Sequence, residues 1–336
     1  MRRAGTAGDA DISDASTRAG CHSGGVAVDE QAAIRVLRAA GLTPVGVLGR
    51  GVEGVVLDLG DGTAVKVWSS RSRADLDLLR TFYEGIEAGR SAGSSVMLPL
   101  IVDLREVDGN LISIERRLAG EPVWQADGSS PDLLAADIDV MTEALAALAA
   151  IPARPSLLAL PMLPGEPAFR PGAAFETQLA DLVARQVTRF ESALAAAHPP
   201  VQSTAASTIA ALRSLEPAAP TLVHGDLIAA NVLRTGGRAT AVLDFGFLST
   251  AGDPAFDAAI AASVYDMWGP RARDMERTLD DAWCAAFGHA RDRLLVYRAA
   301  YALITACCFG DDGSDGHFTW CIAMLDRPDV QDAIRG

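Results

Sequence analysis

The chain has 336 residues, of which 49% are hydrophobic, and it carries a formal net charge of −14 at pH 7. This length and composition suffice for the core of one large or two ordinary domains, and no apolar run approaches the roughly 20 residues that span a bilayer. The acidity disfavours nucleic-acid binding, which needs a basic face to displace counterions, so we expect a folded, soluble protein that binds neither nucleic acid nor membranes.

The cysteines and the first residues indicate the compartment. No CxxC pair occurs, and an odd number of cysteines is typical of free thiols in a reducing environment. The first 27 residues contain charged and small residues but no apolar segment, so they are predicted to be disordered and to direct no export. We therefore predict a cytoplasmic protein. The five cysteines are Cys21, Cys284, Cys307, Cys308 and Cys321.

Residues 28–118 have the pattern of a small α+β lobe. A short amphipathic helix from Val26 to Ala40 is followed by two β-rich runs that flank the sequence GDG, a strong hairpin signal because Asp-Gly tolerates positive φ angles. The segment Arg73 to Gly89 places apolar residues on one helical stripe, namely Leu79, Phe82, Tyr83 and Ile86. Further strands surround a second Asp-Gly turn.

Residues 119–336 are predicted to form a larger, mainly helical lobe with a small β insert at TLVHG and TAVLDFG. The Pro-rich segment Pro152 to Pro171 is too broken for a helix and could be either a substrate-covering loop or a plain connector. The helical segments are Pro131 to Ala150, Ala173 to Ala197, Ser203 to Leu215, Pro254 to Met267, Asp274 to Phe287 and Arg291 to Cys308.

A glycine-rich motif lies within the first β-rich region. The sequence GRGVEGVV has the spacing G-x-G-x-x-G-x-V, with Gly49, Gly51 and Gly54 at the glycine positions. Because the motif sits between two β runs and not between a strand and a helix, it favours a phosphate-covering hairpin over a dinucleotide-binding unit. Glycines there allow backbone N–H groups to approach phosphate oxygens. A plain glycine-rich hairpin is the alternative.

The next strand contains Lys66, the only lysine of the chain, whereas the other 28 basic residues are arginines. A retained lysine suggests a place where a planar guanidinium cannot replace a compact ammonium, such as a nucleotide phosphate site. Such a lysine needs an anion to hold it. We predict Glu84 on the following helix as this partner, with Asp77 and Glu87 as alternatives.

The strongest signal is LVHGDLIAANVL followed by AVLDFGFL, which has the form H-x-D-L-x-x-x-N and then D-F-G. Phosphoryl transfer needs a carboxylate to accept the proton of the acceptor hydroxyl, and further oxygen ligands to hold Mg²⁺. We predict that Asp226 is the base and that Asn231 and Asp244 are the metal ligands. His224 is expected to brace the loop.

These motifs resemble the aminoglycoside phosphotransferase superfamily, the small-molecule relatives of protein kinases, over roughly Val45 to Trp268. HGDLxxxN is the most specific part of the resemblance, and GDPAFD is similar to the family's G-D-P-x-x-D stretch. D-F-G, in contrast, is the protein-kinase form of the metal motif. The resemblance implies a bilobal, protein-kinase-like α+β fold with a small β-rich N-lobe and a larger helical C-lobe.

The resemblance also implies a function. The donor would be ATP or GTP with Mg²⁺, and backbone groups near Glu115 to Leu118 would form the hinge that binds the purine. The acceptor would be a hydroxyl of a small molecule, with an antibiotic as the leading expectation. The protein would be a monomer or a homodimer. The alternatives are a metabolic kinase for choline, homoserine or a sugar, and a catalytically silent nucleotide-binding protein.

Overall fold

The computed structural model describes residues 29–51, 53–124 and 133–336. The N-terminal segment for which we predict disorder lies outside these residues. Within them the chain forms a β-rich N-terminal part and a mainly helical C-terminal part, as predicted, so the α+β fold class is confirmed.

The N-lobe is built on a five-stranded antiparallel sheet with the order β1-β2-β3-β5-β4. Both predicted Asp-Gly hairpins are present: one joins β2 to β3, and in the other Asp108 and Gly109 have φ angles of 50° and 76°. The elements are α1 (Glu30–Ala39), β1 (Gly46–Gly51), β2 (Gly54–Asp58), β3 (Thr63–Trp68), α2 (Arg73–Gly89), β4 (Ile101–Val107) and β5 (Asn110–Arg116).

Alternation along the strands gives the sheet two different faces. Val65 and Val67 of β3 are buried on one face with Leu37 of α1, in a small apolar cluster. Lys66 lies between these two residues and therefore points to the opposite face, which looks into the cleft between the lobes. The predicted apolar stripe of α2 packs into the main core, with Phe82 and Ile86 fully buried.

The C-lobe contains most of the helices together with short strands. The elements are β6 (Glu121–Pro122), α3 (Ala135–Ala149), α4 (Phe175–Arg189), α5 (Glu191–Ala197), α6 (Val201–Ser214), β7 (Thr221–Val223), β8 (Val232–Thr235), β9 (Arg238–Val242), β10 (Thr250–Gly252), α7 (Pro254–Val264), α8 (Ala272–Phe287), α9 (Arg291–Thr305), α10 (Gly316–Leu325) and α11 (Pro328–Arg335). None of the helices in the described ranges combines the length and apolar character that crossing a membrane requires.

Three local expectations are modified. The segment predicted as one helix from Ala173 to Ala197 is two helices, because the chain turns at Phe190 (φ −111°, ψ 23°). The helices α10 and α11 were not predicted. The Pro-rich segment contains a 3₁₀ turn at Pro155–Leu158 that packs beside α2, and Leu157 and Met162 within the segment are buried, so it fits a connector better than a mobile cover.

A buried charge network joins three C-lobe helices. Arg298 of α9 is fully buried; its guanidinium donates to both oxygens of Asp280 at 2.9 and 2.5 Å and to Glu276 at 3.2 Å. Its Nε also donates to the backbone oxygen of Ala259 in α7 at 3.0 Å. Because each of the three guanidinium nitrogens has a carboxylate or carbonyl partner, the charge is compensated away from water. The network holds α8 and α9 against α7.

We expect Arg298→Met to lower the free energy of unfolding by about 3–5 kcal/mol, because it removes the closest cation of the buried Asp280, whose other partner, Arg291, lies 3.3 Å away. Chemical denaturation would measure the loss. Arg277→Met is the matched control, since Arg277 is 66% exposed and pairs only with Asp274 on the surface; equal effects of the two substitutions would contradict a stabilising role of the network.

Candidate active site

The glycine motif forms the turn between β1 and β2. Gly51 pairs with Gly54 across the hairpin. Gly54 has a φ of +147°, and a methyl group there would lie 2.0 Å from the backbone oxygen of Val67. Only glycine fits such a close approach of two backbones. The motif therefore places its turn directly over the cleft end of β3.

Lys66 lies beneath this turn. Its Nζ donates to Glu53 Oε2 at 2.9 Å and stands 3.8 Å from the ring centroid of Trp68. Burial alone would lower the pKa of Lys66, but the negative charges of Glu53, Asp244 and Glu115 outweigh it and raise the pKa. Lys66 therefore remains a cation.

The predicted pairing of Lys66 with Glu84 is wrong. The Glu84 side chain is 62% exposed, and its nearest cation is Arg80 at 4.0 Å. The residue that α2 turns toward the cleft is its neighbour Tyr83, which is buried and whose pKa is raised by burial and by the charges of Glu115 and Asp244. Successive helical residues differ by about 100° in direction, so both cannot face the cleft.

The two alternative partners are also engaged elsewhere. Asp77 pairs with Arg73 and Arg80, at 3.2 and 3.0 Å. Glu87 pairs with Arg116 at 2.9 Å. The anion that holds Lys66 thus comes from the glycine turn and not from the helix.

Glu53 and Arg71 are cleft residues that the sequence reasoning missed. Glu53 Oε1 accepts from Nε and Nη2 of Arg71, at 3.2 and 2.5 Å, while its other oxygen binds Lys66. Burial alone would raise the pKa of Glu53, but the two cations lower it to about 2. The available signal was the charged residue inside the glycine motif, one position before its last glycine.

The H-x-D motif follows β7 and is held from behind by Asp257. The two carboxylate oxygens of Asp257 accept from the backbone N–H groups of His224 and Gly225, each at 2.8 Å. Gly225 has a φ of +88°, and a methyl group there would lie 2.5 Å from Leu248. Asp257 lies in the buried helix α7. The loop is therefore fixed through its backbone at His224 and Gly225.

His224 braces the same loop. Its Nε2 donates to the backbone oxygen of Leu243 at 2.7 Å, and its Nδ1 accepts from the backbone N–H of Asp226 at 3.2 Å. Both ring nitrogens are thus used by backbone groups. Burial lowers the pKa of His224 to about 4, so the ring is neutral. This arrangement agrees with the expected bracing role.

Asp226 is half-buried in the cleft. Burial, together with the negative charges of Asp244 and Asp257, raises its pKa to about 7. Asn231 lies in a short 3₁₀ turn, and its Nδ2 donates to the backbone oxygen of Asp226 at 3.2 Å. This contact directs the amide and leaves its Oδ1 available as an oxygen ligand.

Asp244 lies at the start of D-F-G and is open to the cleft. Its φ of 62° is in the left-handed region, which aspartate tolerates better than most residues. Burial raises the pKa of Asp244 while Lys66 lowers it. Phe245 packs on the rings of Phe82 and His224, with centroid distances of 6.0 and 4.4 Å, and so joins α2 to the catalytic loop.

The predicted hinge begins within the last two residues of β5. Glu115 faces the cleft from β5, and its Oε1 accepts from Ser113 Oγ, which in turn accepts from the indole N–H of Trp68. Burial raises the pKa of Glu115, although Lys66 opposes this. The chain then passes Leu118, half-buried, and enters β6, which pairs with β8 of the C-lobe. This segment therefore joins the two lobes at the cleft.

The structure thus brings Lys66, Asp226, Asn231 and Asp244 to one cleft, with the glycine turn above and the hinge segment at its end. The charged residues of this group also act on one another: Lys66 lowers the pKa of Asp244, and Asp244 raises the pKa of Asp226. Glu84 is excluded from the group. In the described residues no cluster of three His, Cys, Asp or Glu side chains forms a metal site.

We expect Asp257→Asn to loosen the catalytic loop, because an amide can accept from only one of the two backbone N–H groups. The free energy of unfolding should fall by about 1–3 kcal/mol, the cost of one buried donor left unpaired. Amide hydrogen exchange at His224 and Gly225 should accelerate, whereas the exposed control Asp332→Asn should leave it unchanged. Unaltered exchange in Asp257→Asn would contradict the bracing role.

Comparisons with known proteins agree with this geometry. Residues 66–297 match the model of the phosphotransferase enzyme family. A thermostable mutant of aminoglycoside phosphotransferase APH(4)-Ia, in ternary complex with ADP and hygromycin B, shares 18% identity at a TM-score of 0.65, covering 91% of this chain and 99% of that chain. No curated protein sequence matches the chain.

Two further solved structures show the same fold. The gentamicin complex of APH(2")-IIa has 14% identity and a TM-score of 0.58, with 91% of this chain and 99% of that chain covered. The ADP-bound aminoglycoside phosphotransferase APH(2'')-Ib has 15% identity and a TM-score of 0.58, with coverages of 92% and 99%. The fold is therefore the kinase-like fold of aminoglycoside phosphotransferases. Since the matched model spans more than half of the sequence, this chain belongs to the phosphotransferase enzyme family, and it is a phosphotransferase.

Proposed function

We propose that this phosphotransferase transfers the γ-phosphoryl group of ATP or GTP to a hydroxyl of a small molecule, and that the molecule is an antibiotic. One observation carries the proposal: Lys66, Asp226 and Asp244 face one cleft, where the charge of Lys66 lowers the pKa of Asp244 and the charge of Asp244 raises the pKa of Asp226. A cation for phosphates, a metal ligand and a base are the parts that phosphoryl transfer requires.

The donor site lies between the glycine turn and the hinge. Backbone N–H groups from Gly49 to Gly54 would cover the phosphates, and Lys66 would neutralise part of their charge. Backbone groups between Glu115 and Leu118 would bind the purine. This division leaves the side chains at the C-lobe end of the cleft for the acceptor.

The residues present fit a magnesium site. Asn231 has its Nδ2 turned to the backbone, so an amide oxygen remains, and the carboxylate of Asp244 is open to the cleft beside Lys66. These are hard oxygen ligands of the kind Mg²⁺ prefers. When bound, the metal would neutralise charge on the phosphates and align them. Asn231 and Asp244 would hold it.

Asp226 would orient the acceptor hydroxyl and take its proton. Its raised pKa, about 7, makes it a stronger base than an exposed aspartate once it is ionised. The neutral ring of His224 accepts from the backbone N–H of Asp226 and so fixes the backbone from which this carboxylate projects. The geometry favours positioning and charge stabilisation as the sources of rate.

The acceptor side is bordered by α9, α10 and the loop between them. Burial, together with the charge of Asp226, raises the pKa of Tyr301, and the buried Tyr301 ring packs on Trp320 at a centroid distance of 6.1 Å. The preceding loop holds Asp311, Asp312 and Asp315, whose charges reach Cys307. Carboxylates and aromatic faces both attract cationic groups.

This chemistry supports an amine-bearing acceptor. The solved structures with the same fold include complexes with hygromycin B and gentamicin. Aminoglycosides are therefore the first candidates among hydroxylated antibiotics. We predict that the protein is cytoplasmic and that it is a monomer or a homodimer.

The reaction can be tested with a panel of acceptors. Aminoglycosides, macrolides, peptide and nucleoside antibiotics, choline, homoserine and sugars would each be incubated with the protein, Mg²⁺ and ATP or GTP. Mass spectrometry should find an antibiotic 80 Da heavier, the mass of one phosphoryl group. Asp226→Asn should reduce its formation by about 10²–10⁴-fold, because it removes the general base.

The exposed variant Asp332→Asn is the matched control and should retain full turnover. Equal turnover of Asp226→Asn and the unaltered protein would remove Asp226 as base. Phosphorylation of only choline, homoserine or a sugar would establish the metabolic alternative in place of the antibiotic. Nucleotide binding without any product from the panel would contradict the proposed acceptor class.

The metal assignment has a separate test. Asp244→Ala should weaken binding of Mg·ADP at least tenfold, while binding of adenosine should be unchanged, because only the phosphates depend on the metal. Calorimetry on both ligands measures the difference. Asp281→Ala, which removes a carboxylate that is 67% exposed, is the control. Normal Mg·ADP affinity in Asp244→Ala would overturn the assignment.

A further inference from the structure

Glu53 forms an ion-pair bridge between the two cations of the cleft. One of its oxygens lies 2.9 Å from Lys66 Nζ, and the other lies 3.2 and 2.5 Å from Nε and Nη2 of Arg71. The three side chains are only 14–22% exposed. The bridge is therefore a built site in which two desolvated cations share one anion.

Arg71 stands beside the residues proposed to handle phosphate. Its Nη2 would be 3.4 Å from a methyl group on Gly246, the glycine of D-F-G. Its charge also acts on the carboxylate of Asp244. The donor side thus contains a second cation, on the segment between β3 and α2, that none of the proposed catalytic roles uses.

The anion between these cations belongs to the glycine turn itself. A carboxylate and a phosphate present the same paired oxygens to a guanidinium and an ammonium, so one can replace the other. Nucleotide phosphates beneath the turn would approach Lys66 from the side that Glu53 now occupies. Two anions there would repel each other, because a desolvated site screens charges weakly.

We propose that Arg71 and Lys66 together form the phosphate-binding site of the donor, and that Glu53 is an internal anion that occupies this site until a nucleotide displaces it. The inference rests on the proposed function, since it concerns the same donor site. Glu53 keeps both cations paired and oriented in the empty cleft. Its release on nucleotide binding leaves the glycine turn free to contact the phosphates through its backbone.

The inference predicts opposite effects of the two residues. Glu53→Gln keeps the size of the side chain but removes its charge, so phosphates no longer compete with an anion. The affinity for Mg·ADP should rise by about tenfold, the equivalent of one charge-assisted hydrogen bond. Arg71→Gln should lower that affinity by a similar factor. Neither substitution should change the affinity for adenosine, which has no phosphate.

The experiment measures these affinities on the full chain. Calorimetry gives the Mg·ADP affinity, and saturation-transfer NMR gives the weaker adenosine affinity. Glu53→Ser is the second variant and should also bind Mg·ADP more tightly. The matched controls are Glu106→Gln and Arg73→Gln, which alter an exposed carboxylate on β4 and an exposed arginine on α2; both should bind as the unaltered chain does.

A different pattern would overturn the inference. If both Glu53 variants bind Mg·ADP more weakly, Glu53 is a permanent partner that orients Lys66. If Arg71→Gln binds Mg·ADP normally, or loses adenosine affinity equally, Arg71 is structural. If the unaltered chain binds adenosine and Mg·ADP not at all, the donor half of the proposed function fails, and the inference fails with it.

Discussion

The cleft depends on one cation, the Lys66 ammonium, because it is surrounded by more negative charge than it can balance. Glu53, Asp244 and Glu115 all raise its pKa, and Arg71 also acts on Glu53 and Asp244. A nucleotide would add further negative charge to this region. A divalent cation held by the free oxygens of Asn231 and Asp244, as proposed, would offset that charge.

The C-lobe meets a different requirement, which is to fix a loop without using its functional side chains. Asp257 binds two backbone N–H groups, His224 binds two further backbone groups, and Ser249 Oγ donates to the backbone oxygen of His224 at 2.6 Å. All of these contacts come from the buried side of the loop. Asp226 consequently remains open to the cleft while its backbone is immobilised, and the cost is a set of buried polar groups that must all be paired.

The sequence was sufficient to predict those features that depend on neighbouring residues. Asp-Gly turns, the glycine spacing and the H-x-D and D-F-G motifs each depend on neighbouring residues, and the structure has the corresponding hairpins and loops. The partner of Lys66 was different, because it depends on how the glycine turn closes over β3. Even so, the helical stripe through Phe82, Tyr83 and Ile86 already put Glu84 off the buried face. Helix α11 could also have been predicted from the sequence, because Pro328 stands at its start and Val330 and Ile334 are apolar residues four positions apart.

The proposed donor and acceptor halves of the cleft differ in the kind of groups that form them. The proposed donor half consists of backbone N–H groups and a few charges, which many sequences can supply, and the fold is shared with solved structures at 14–18% identity. The proposed acceptor half is bordered by α9, α10 and their connecting loop, where the rings of Tyr301 and Trp320 pack on each other and residues 311–315 supply three carboxylates. Because Trp320 and the loop carboxylates belong to none of the motifs of the proposed donor half, we expect them to vary without loss of phosphoryl transfer. We therefore expect the acceptor to be determined by this loop and its neighbouring helices, and not by the motifs that identify the family.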